Sequence, residues 1–396
     1  MAKKLRVLVL GAGFGGLEVA SRLSTEAADR VDVTVIDQSD SFVFGFSKLD
    51  TLFGKSKTTW RTPYKNLNLP SVTFRQERIQ RIDPDAKKVE TSDGTYDADV
   101  IVVALGADLD VDATPGLATG GHEFYSVAGA EHAAKAISEF DQGHAVIAVA
   151  GTPYKCPPAP CEAALMLDDY LTSRGKRSNT EITVVSPLPA PVPPSPDTSA
   201  AIHDAFSMRG ITFRASTRMT EVDPGRRTIR LDDGNELAYD LLLGVPRHRA
   251  PEVVATLPTG DDGWVHVDPF WLRTSYPDVY AVGDVADAPV PRAGVFAERA
   301  AAVVAEQILS MVDGREATPY DGYGACYIEF GGGRVGRVEV TFMTERGVQG
   351  GPFSPPSLEL AADKEEFGRS RIARWFGQEP GYASNGSNAD QPNVQT

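Results

Sequence analysis

The chain has 396 residues, enough for two or three domains that each bury a core, and its 42% hydrophobic and 23% charged content is that of a soluble globular protein. A formal charge of −15 argues against a nucleic-acid partner and against broad attraction to anionic lipid. No apolar run approaches the ~20 residues of a membrane span, and three cysteines are too few for a disulfide scaffold.

Taken in order, Met1-Ala2-Lys3-Lys4-Leu5 imitates a signal peptide, but its apolar run is short and leads into a glycine loop, so it reads as a first strand. Arg6 to Leu10 is an apolar strand, followed at once by Gly11-Ala12-Gly13-Phe14-Gly15-Gly16, a helix from Leu17 to Leu23, and a second strand from Val31 to Ile36 that ends at Asp37. Strand, GxGxxG, helix, strand and acid at this spacing form a dinucleotide site. Gly11 makes the tight turn, Gly13 lets the backbone approach a pyrophosphate, and Gly16 lets helix and strand pack closely. The helix N-terminus favours phosphate charge, and Asp37 is placed to accept hydrogen bonds from a ribose. Phe42-Val43-Phe44-Gly45-Phe46 follows, an aromatic run that suits either core packing or the lining of an apolar ligand site.

Asp97 to Gly106 reads as a buried strand ending in a small-residue turn at Ala104 and Gly106, and Tyr276 to Val285 closes another strand at Gly283-Asp284. Pro291-Arg292-Ala293-Gly294 then opens a helix from Val295 to Ser310. These segments resemble the later fingerprints of FAD-binding, glutathione-reductase-like flavoproteins. The resemblance implies FAD as cofactor, with Asp284 on its ribityl chain or phosphate and the helix behind Arg292 and Gly294 aimed at the flavin pyrimidine edge.

Residues 144–250 repeat the unit: strand Ala145 to Ala150, helix Ala163 to Leu171, strand Glu181 to Val185, a hairpin around Asp232-Asp233-Gly234, and a closing strand Leu241 to Val245. The repeat lacks the glycines of a nicotinamide site. Lys155-Cys156-Pro157-Pro158-Ala159-Pro160-Cys161-Glu162 stands in their place, and the second strand ends at Ser186, not at an acid or arginine. The proline run 187–196 is stiff and extended, and reads either as a surface linker or as a wall over the vacant nucleotide pocket. Lys155 and a helix N-terminus beside Cys156 predict a lowered thiol pKa. Cys161 reads as a resolving thiol or as an inert residue at the start of the helix. Farther on, Cys326 to Gly333 and Val335 to Phe342 read as paired strands, and Lys364 to Phe376 as a helix with Phe367, Ile372, Trp375 and Phe376 on one side. The six histidines form no metal motif, and no metal is expected; His122, His132 and His248 read as structural groups or as neighbours of the flavin.

The cysteine loop followed by Cys326-Tyr327 resembles the sulfide:quinone oxidoreductase and flavocytochrome c sulfide dehydrogenase flavoprotein family, over residues 4 to about 377. The end of that stretch, Lys364-Glu365-Glu366-Phe367-Gly368-Arg369 to Arg374-Trp375-Phe376-Gly377, resembles the same proteins. The resemblance implies an α/β fold of two Rossmann-like dinucleotide-binding domains with a smaller C-terminal α+β region. On that reading residues 1–115 and 253–315 form the FAD domain, 116–252 the domain carrying the cysteine loop, 316–380 an interface region, and 381–396 a disordered tail. It further implies a Cys156/Cys326 redox pair beside the flavin, Glu162 as proton acceptor, a sulfur donor such as sulfide, and a quinone or other electron acceptor. It allows a homodimer and a peripheral contact with the inner face of the membrane through the terminal helix, in a protein otherwise cytoplasmic. A type II NADH:quinone dehydrogenase needs the nucleotide loop that residues 151–162 do not provide. A flavin-containing thiol sensor remains the alternative from another class.

Overall fold

A computed structural model of the chain describes residues 3–54 and 61–378. Its first sheet has five parallel strands in the order Val279–Ala281, Val100–Val103, Leu5–Leu10, Val31–Asp37 and Val72–Gln76. The central strands are almost unbroken runs of Val, Ile and Leu, the composition required when both faces of a parallel sheet are covered. Side-chain alternation splits them between two cores. Val7, Val9, Val33 and Val35 pack under the helices Phe14–Ala27 and Gly294–Asp313, while Leu8, Leu10, Ile36 and Ile101 meet Val254, Leu257 and Val285 on the other face.

A second five-stranded parallel sheet is ordered His122–Glu123, Leu241–Val245, Gly143–Val149, Thr180–Val185 and Ile211–Arg214. Each sheet carries a three-stranded antiparallel appendage, at 79–97 and 219–238, so the predicted repeat is present, with its hairpin extended by the strand Met219–Asp223. The chain crosses between the two units along Asp108–Asp110 and Arg247–Arg249, which pair antiparallel.

The C-terminal region is a three-stranded antiparallel sheet, Tyr323–Glu329, Val335–Thr341 and Gln349–Ser357, followed by the helix Leu358–Trp375. Its two halves bind to different cores. Ile328, Phe330, Val338 and Val340 join the core of the second sheet, whereas Trp375 and Phe376 are fully buried in that of the first. The sequence had placed this helix from Lys364; it begins at Leu358 because the Ser357 side chain caps the Leu360 N–H. The strand Gln349–Ser357 holds three prolines and gave no strand signal, yet it is an edge strand, the position where proline is tolerated. The apolar side of the terminal helix is turned inward at Trp375 and Phe376, so these two residues are covered by protein and offer no membrane-facing surface. The segment 381–396, read as a disordered tail, lies outside the described residues. Among the described residues no helix is long and apolar enough to cross a membrane.

Candidate active site

The first glycine turn is sterically obligatory. Gly11 has φ +99°, and a Cβ there would lie 2.4 Å from the Ala104 carbonyl oxygen. A Cβ on Gly16 would lie 1.9 Å from the Gly11 oxygen, which is why helix and strand approach only through glycine at this point. Gly13 faces open space and caps the helix Phe14–Ala27 without a side-chain hydrogen bond, so the first helical N–H groups remain free for a ligand. Asp37 holds the turn: one carboxylate oxygen accepts from Ala12 N at 2.8 Å and the other from Ser39 N at 2.8 Å.

Gly13 and Asp37 line a cavity of about 490 Å³ together with Phe14, Gly15, Ala104, Gly106, Gly283, Asp284, Arg292 and Gly294, while Gly11 and Gly16 shape the turn behind it. Arg292 donates through Nε to the Asp284 carbonyl at 3.0 Å and stacks its guanidinium 3.9 Å from the Trp264 ring centroid. Both contacts fix it at the cavity rim. The helix Gly294–Asp313 starts from Ala293 without a side-chain cap, and a Cβ on Gly294 would strike the Phe14 ring at 2.6 Å. Two uncapped helix ends, a glycine cradle and this volume fit a dinucleotide. Gly13, Phe14 and Gly15 would hold the pyrophosphate of FAD, Asp37 would stand by the ribose, and Asp284 with Arg292 and Gly294 would lie along the flavin half.

The second unit contributes the sulfur. The loop after the strand Gly143–Val149 reaches across to the first unit, where the Cys156 N–H donates to the Arg292 carbonyl at 2.7 Å. Cys156 has φ +50°, a left-handed conformation costing roughly 1–2 kcal/mol in a non-glycine residue, and this cross-unit bond is one of the contacts that hold it. Cys326 comes from the strand Tyr323–Glu329. Both thiols are free and both line two cavities: the dinucleotide cavity and a separate one of about 310 Å³. The second space is walled by Pro157, Pro158, Val192, Pro193 and Pro194 among others, so part of the proline run is a wall and not a surface linker. Cys156 is exposed, but to cavities within the fold.

The predicted lowering of the thiol pKa does not occur. Burial pushes Cys156 well above the ordinary thiol value, and the Glu162 and Cys326 charges add to it; Lys48 and Lys364 oppose more weakly. Burial, and then Glu162, push Cys326 up to about 12. Of the two readings of Cys161, its surroundings suit the inert one: it is buried in the core of the second unit, lines neither cavity that the other two share, and is also pushed up by burial. It sits in the first turn of the helix Ala159–Ser173, with its side chain in the core packing.

Glu162 does reach the dinucleotide cavity, and burial pushes its carboxyl up to about 7 despite the neighbouring Lys364. Its Oε1 accepts from Glu329 N at 2.9 Å. A thiol that keeps its proton and a carboxylate able to accept one at neutral pH divide donor from base. The aromatic run also divides. All three phenylalanines line the cavity, but Phe42 and Phe44 are buried core residues edge-on to Phe14 and packed on Trp375, whereas Phe46 is half-buried and lies beside Lys364.

Lys48 and Lys364 were not singled out by sequence. Lys48 lies in the cavity wall and is pushed down to about 8, chiefly by burial and then by Lys155. Lys48 could have been found as a lone lysine in the apolar stretch around Phe46 and Leu49, whereas Lys364 stands in the charged run Asp363-Lys364-Glu365-Glu366 and carries no such signal. The three histidines take no place in the cavity wall. His248 stacks edge-on against Tyr125, which does, and burial pushes it down to about 3; His122 and His132 face each other with ring centroids 5.2 Å apart.

Fold and site together define a flavin-dependent, two-dinucleotide-fold oxidoreductase, and the chain belongs to the pyridine nucleotide-disulphide oxidoreductase family, whose model matches residues 5–307. It is 28% identical over 358 residues to a protein of Mus musculus named mitochondrial sulfide:quinone oxidoreductase, covering 86% of this chain and 78% of that one. It is 27% identical over 347 residues to the sulfide-quinone reductase of Aquifex aeolicus, covering 78% and 77%. The solved structure of the sulfide:quinone oxidoreductase from that bacterium superposes with a TM-score of 0.83 at 23% identity, covering 96% of this chain and 93% of the other.

Proposed function

We propose that the protein oxidises sulfide, or a related sulfur donor, at Cys156 and Cys326 and passes the electrons through FAD to a quinone. The observation that carries this reading is the pair of cysteines. They come from different parts of the chain, and both line the dinucleotide cavity where the repeated fold would otherwise offer a nicotinamide loop.

When bound, FAD supplies a two-electron acceptor on one side of the cysteines. In the oxidised pair, hydrosulfide attacks the disulfide: an S–S bond forms to one cysteine, the Cys156–Cys326 bond breaks, and the other sulfur leaves as thiolate. Glu162 takes the proton of the S–H group. Lys48 and Lys364 favour the thiolate of Cys156 electrostatically while it lasts. The cavity of about 310 Å³ gives the sulfur product a space on the side away from the dinucleotide, walled mainly by apolar groups with Arg292 at its edge. Phe46, Lys364 and Phe367 form a partly aromatic wall of the dinucleotide cavity that suits a quinone ring. A quinone acceptor resides in a bilayer, so a peripheral membrane contact belongs to this reading. Homodimer formation adds nothing to the site as built.

Anaerobic titration of the flavin-loaded protein tests the proposal. Sulfide should bleach the flavin band, and Cys156→Ser and Cys326→Ser should each abolish the bleaching. Bleaching by NADH in place of sulfide would replace this reading with a nicotinamide-dependent one, and no response to either would favour the thiol sensor.

A further inference from the structure

Oxidation of hydrosulfide to zero-valent sulfur releases two electrons and one proton, and a flavin that takes up all three gains one negative charge. That charge enters with the donor and ends in the dinucleotide cavity. There a cation fixed in the wall stabilises it far more than the same cation would in water.

Among the described residues Lys48, Lys155, Arg292 and Lys364 are the cations that line this cavity. Three of them are already engaged by protein groups. Lys155 Nζ donates to the Ala107 carbonyl at 3.0 Å, Arg292 Nε to the Asp284 carbonyl, and Lys364 Nζ lies 2.5 Å from Glu329 Oε1. Lys48, from the short helix Ser47–Leu52, is half-buried in the wall and makes no hydrogen bond or ion pair among the described residues. A cation so enclosed is costly unless a partner is supplied from elsewhere. The charged and titratable groups bearing on it are Lys155 and Cys156 from the cysteine loop, Asp284 from the turn after the strand Val279–Ala281, and Glu123 from the strand His122–Glu123. Glu162, Tyr125 and Lys364 share the same wall. Glu123 is occupied, since its Oε2 accepts from Tyr125 N at 2.7 Å and Ser126 N at 3.0 Å. Cys156 and Asp284 both belong to the flavin half of the site, which sets Lys48 at that end of the cavity.

We propose that Lys48 is the counter-charge of the reduced flavin: its ammonium stabilises the negative charge that arrives on reduction and so raises the reduction potential of the bound cofactor. This rests on the flavin reading of the cavity and, for the origin of the charge, on the sulfide reading above. Lys48 forms no bond and passes no proton to the donor; it acts through space. A unit charge felt over ~12 Å at an effective dielectric of ~20 changes an equilibrium by a factor of about ten. Lys48 should therefore shift the ratio of reduced to oxidised flavin about tenfold, which is ~30 mV for a two-electron couple. The effect is full while Lys48 holds its proton, below about 8, and is lost above that. The same tenfold coupling lifts the lysine by about one pKa unit on reduction.

The test is the flavin reduction potential, measured by light-driven reduction against a reference dye between about pH 6 and about pH 10. A Cys326→Ala background removes the cysteine couple, and no sulfide is needed. At about pH 6.5, Lys48→Met should lower the potential by ~30 mV and Lys48→Arg should restore it. The gap between the parent and Lys48→Met should close above about pH 9 as the lysine loses its proton, whereas the gap between Lys48→Arg and Lys48→Met should persist. Equal potentials for the parent and Lys48→Met at about pH 6.5 overturn the proposal. If Lys48→Met and Lys48→Gln both fail to retain flavin, the parent is compared with Lys48→Arg. Between about pH 8 and about pH 9 the parent should take up a second proton per two electrons that Lys48→Arg does not, and coincident profiles overturn the proposal. Failure of sulfide to bleach the wild type would sink the sulfide reading alone, and these potentials would still decide the role of Lys48.

Discussion

Replacing Glu162 by glutamine should make the protein more stable at alkaline pH while slowing its reduction by sulfide. The carboxyl is 3% exposed and its pKa rises on folding from 4.5 to about 7, principally through burial. A carboxyl whose folded pKa lies above its unfolded value binds its proton more tightly in the native state. Its contribution to stability is therefore greatest below the unfolded value and falls as pH rises through the folded one. With one pKa unit worth about 1.4 kcal/mol, the wild type should lose about 2.5 kcal/mol relative to Glu162→Gln between about pH 5 and about pH 8. Near the lower pH the native carboxyl is protonated, glutamine resembles it, and the two proteins should unfold almost together. Urea unfolding of the flavin-loaded proteins across this range, followed by flavin fluorescence, measures the difference. Parallel pH profiles for the two proteins would refute the argument, because they would mean that the buried carboxyl titrates as it does in water.

Gly16→Ala should prevent flavin retention, since its Cβ would lie 1.9 Å from the Gly11 carbonyl; flavin absorbance per protein after purification measures this. Cys326→Ala should remove bleaching by sulfide but leave light-driven reduction of the flavin intact, and loss of both would indicate a folding defect instead. Trp375→Ala should cost about 3–5 kcal/mol by the usual price of a deleted buried aromatic, and should weaken flavin binding, because the indole packs on Phe14 and donates to Glu18 Oε2 at 2.7 Å. Labelling of Cys156 and Cys326 in the reduced, flavin-free protein by a thiol reagent should be slow at neutral pH and should accelerate steeply toward alkaline pH, because both thiols are pushed up by burial.

The FAD half of the fold was readable because its signals are local. A strand, a glycine turn and a helix N-terminus are specified by neighbours in the chain, and steric limits at Gly11 and Gly16 permit little else. Cys156 and Cys326 stood out through their motif context, although 170 positions separate them in sequence. What the sequence concealed depends on tertiary enclosure. The thiol acidity expected from Lys155 and the helix end was outweighed by burial, which no run of neighbours reveals. Lys364 looked like one more charge on an amphipathic helix, because its partner Glu329 lies in another element, 35 positions away. Cys161 illustrates the converse. It shares the loop motif of Cys156, but its place in the first turn of the helix sets it in the core.

The C-terminal region has its sheet rooted in one core and Trp375 with Phe376 rooted in the other. Such a strap makes the two large units mechanically one piece, so the cleft between them is ill suited to opening like a jaw. Traffic of donor, product and acceptor must then run through fixed passages, and turnover becomes a matter of bore and lining instead of hinge motion. Selection on such a protein would act on the few side chains that narrow those passages, leaving the frame unchanged.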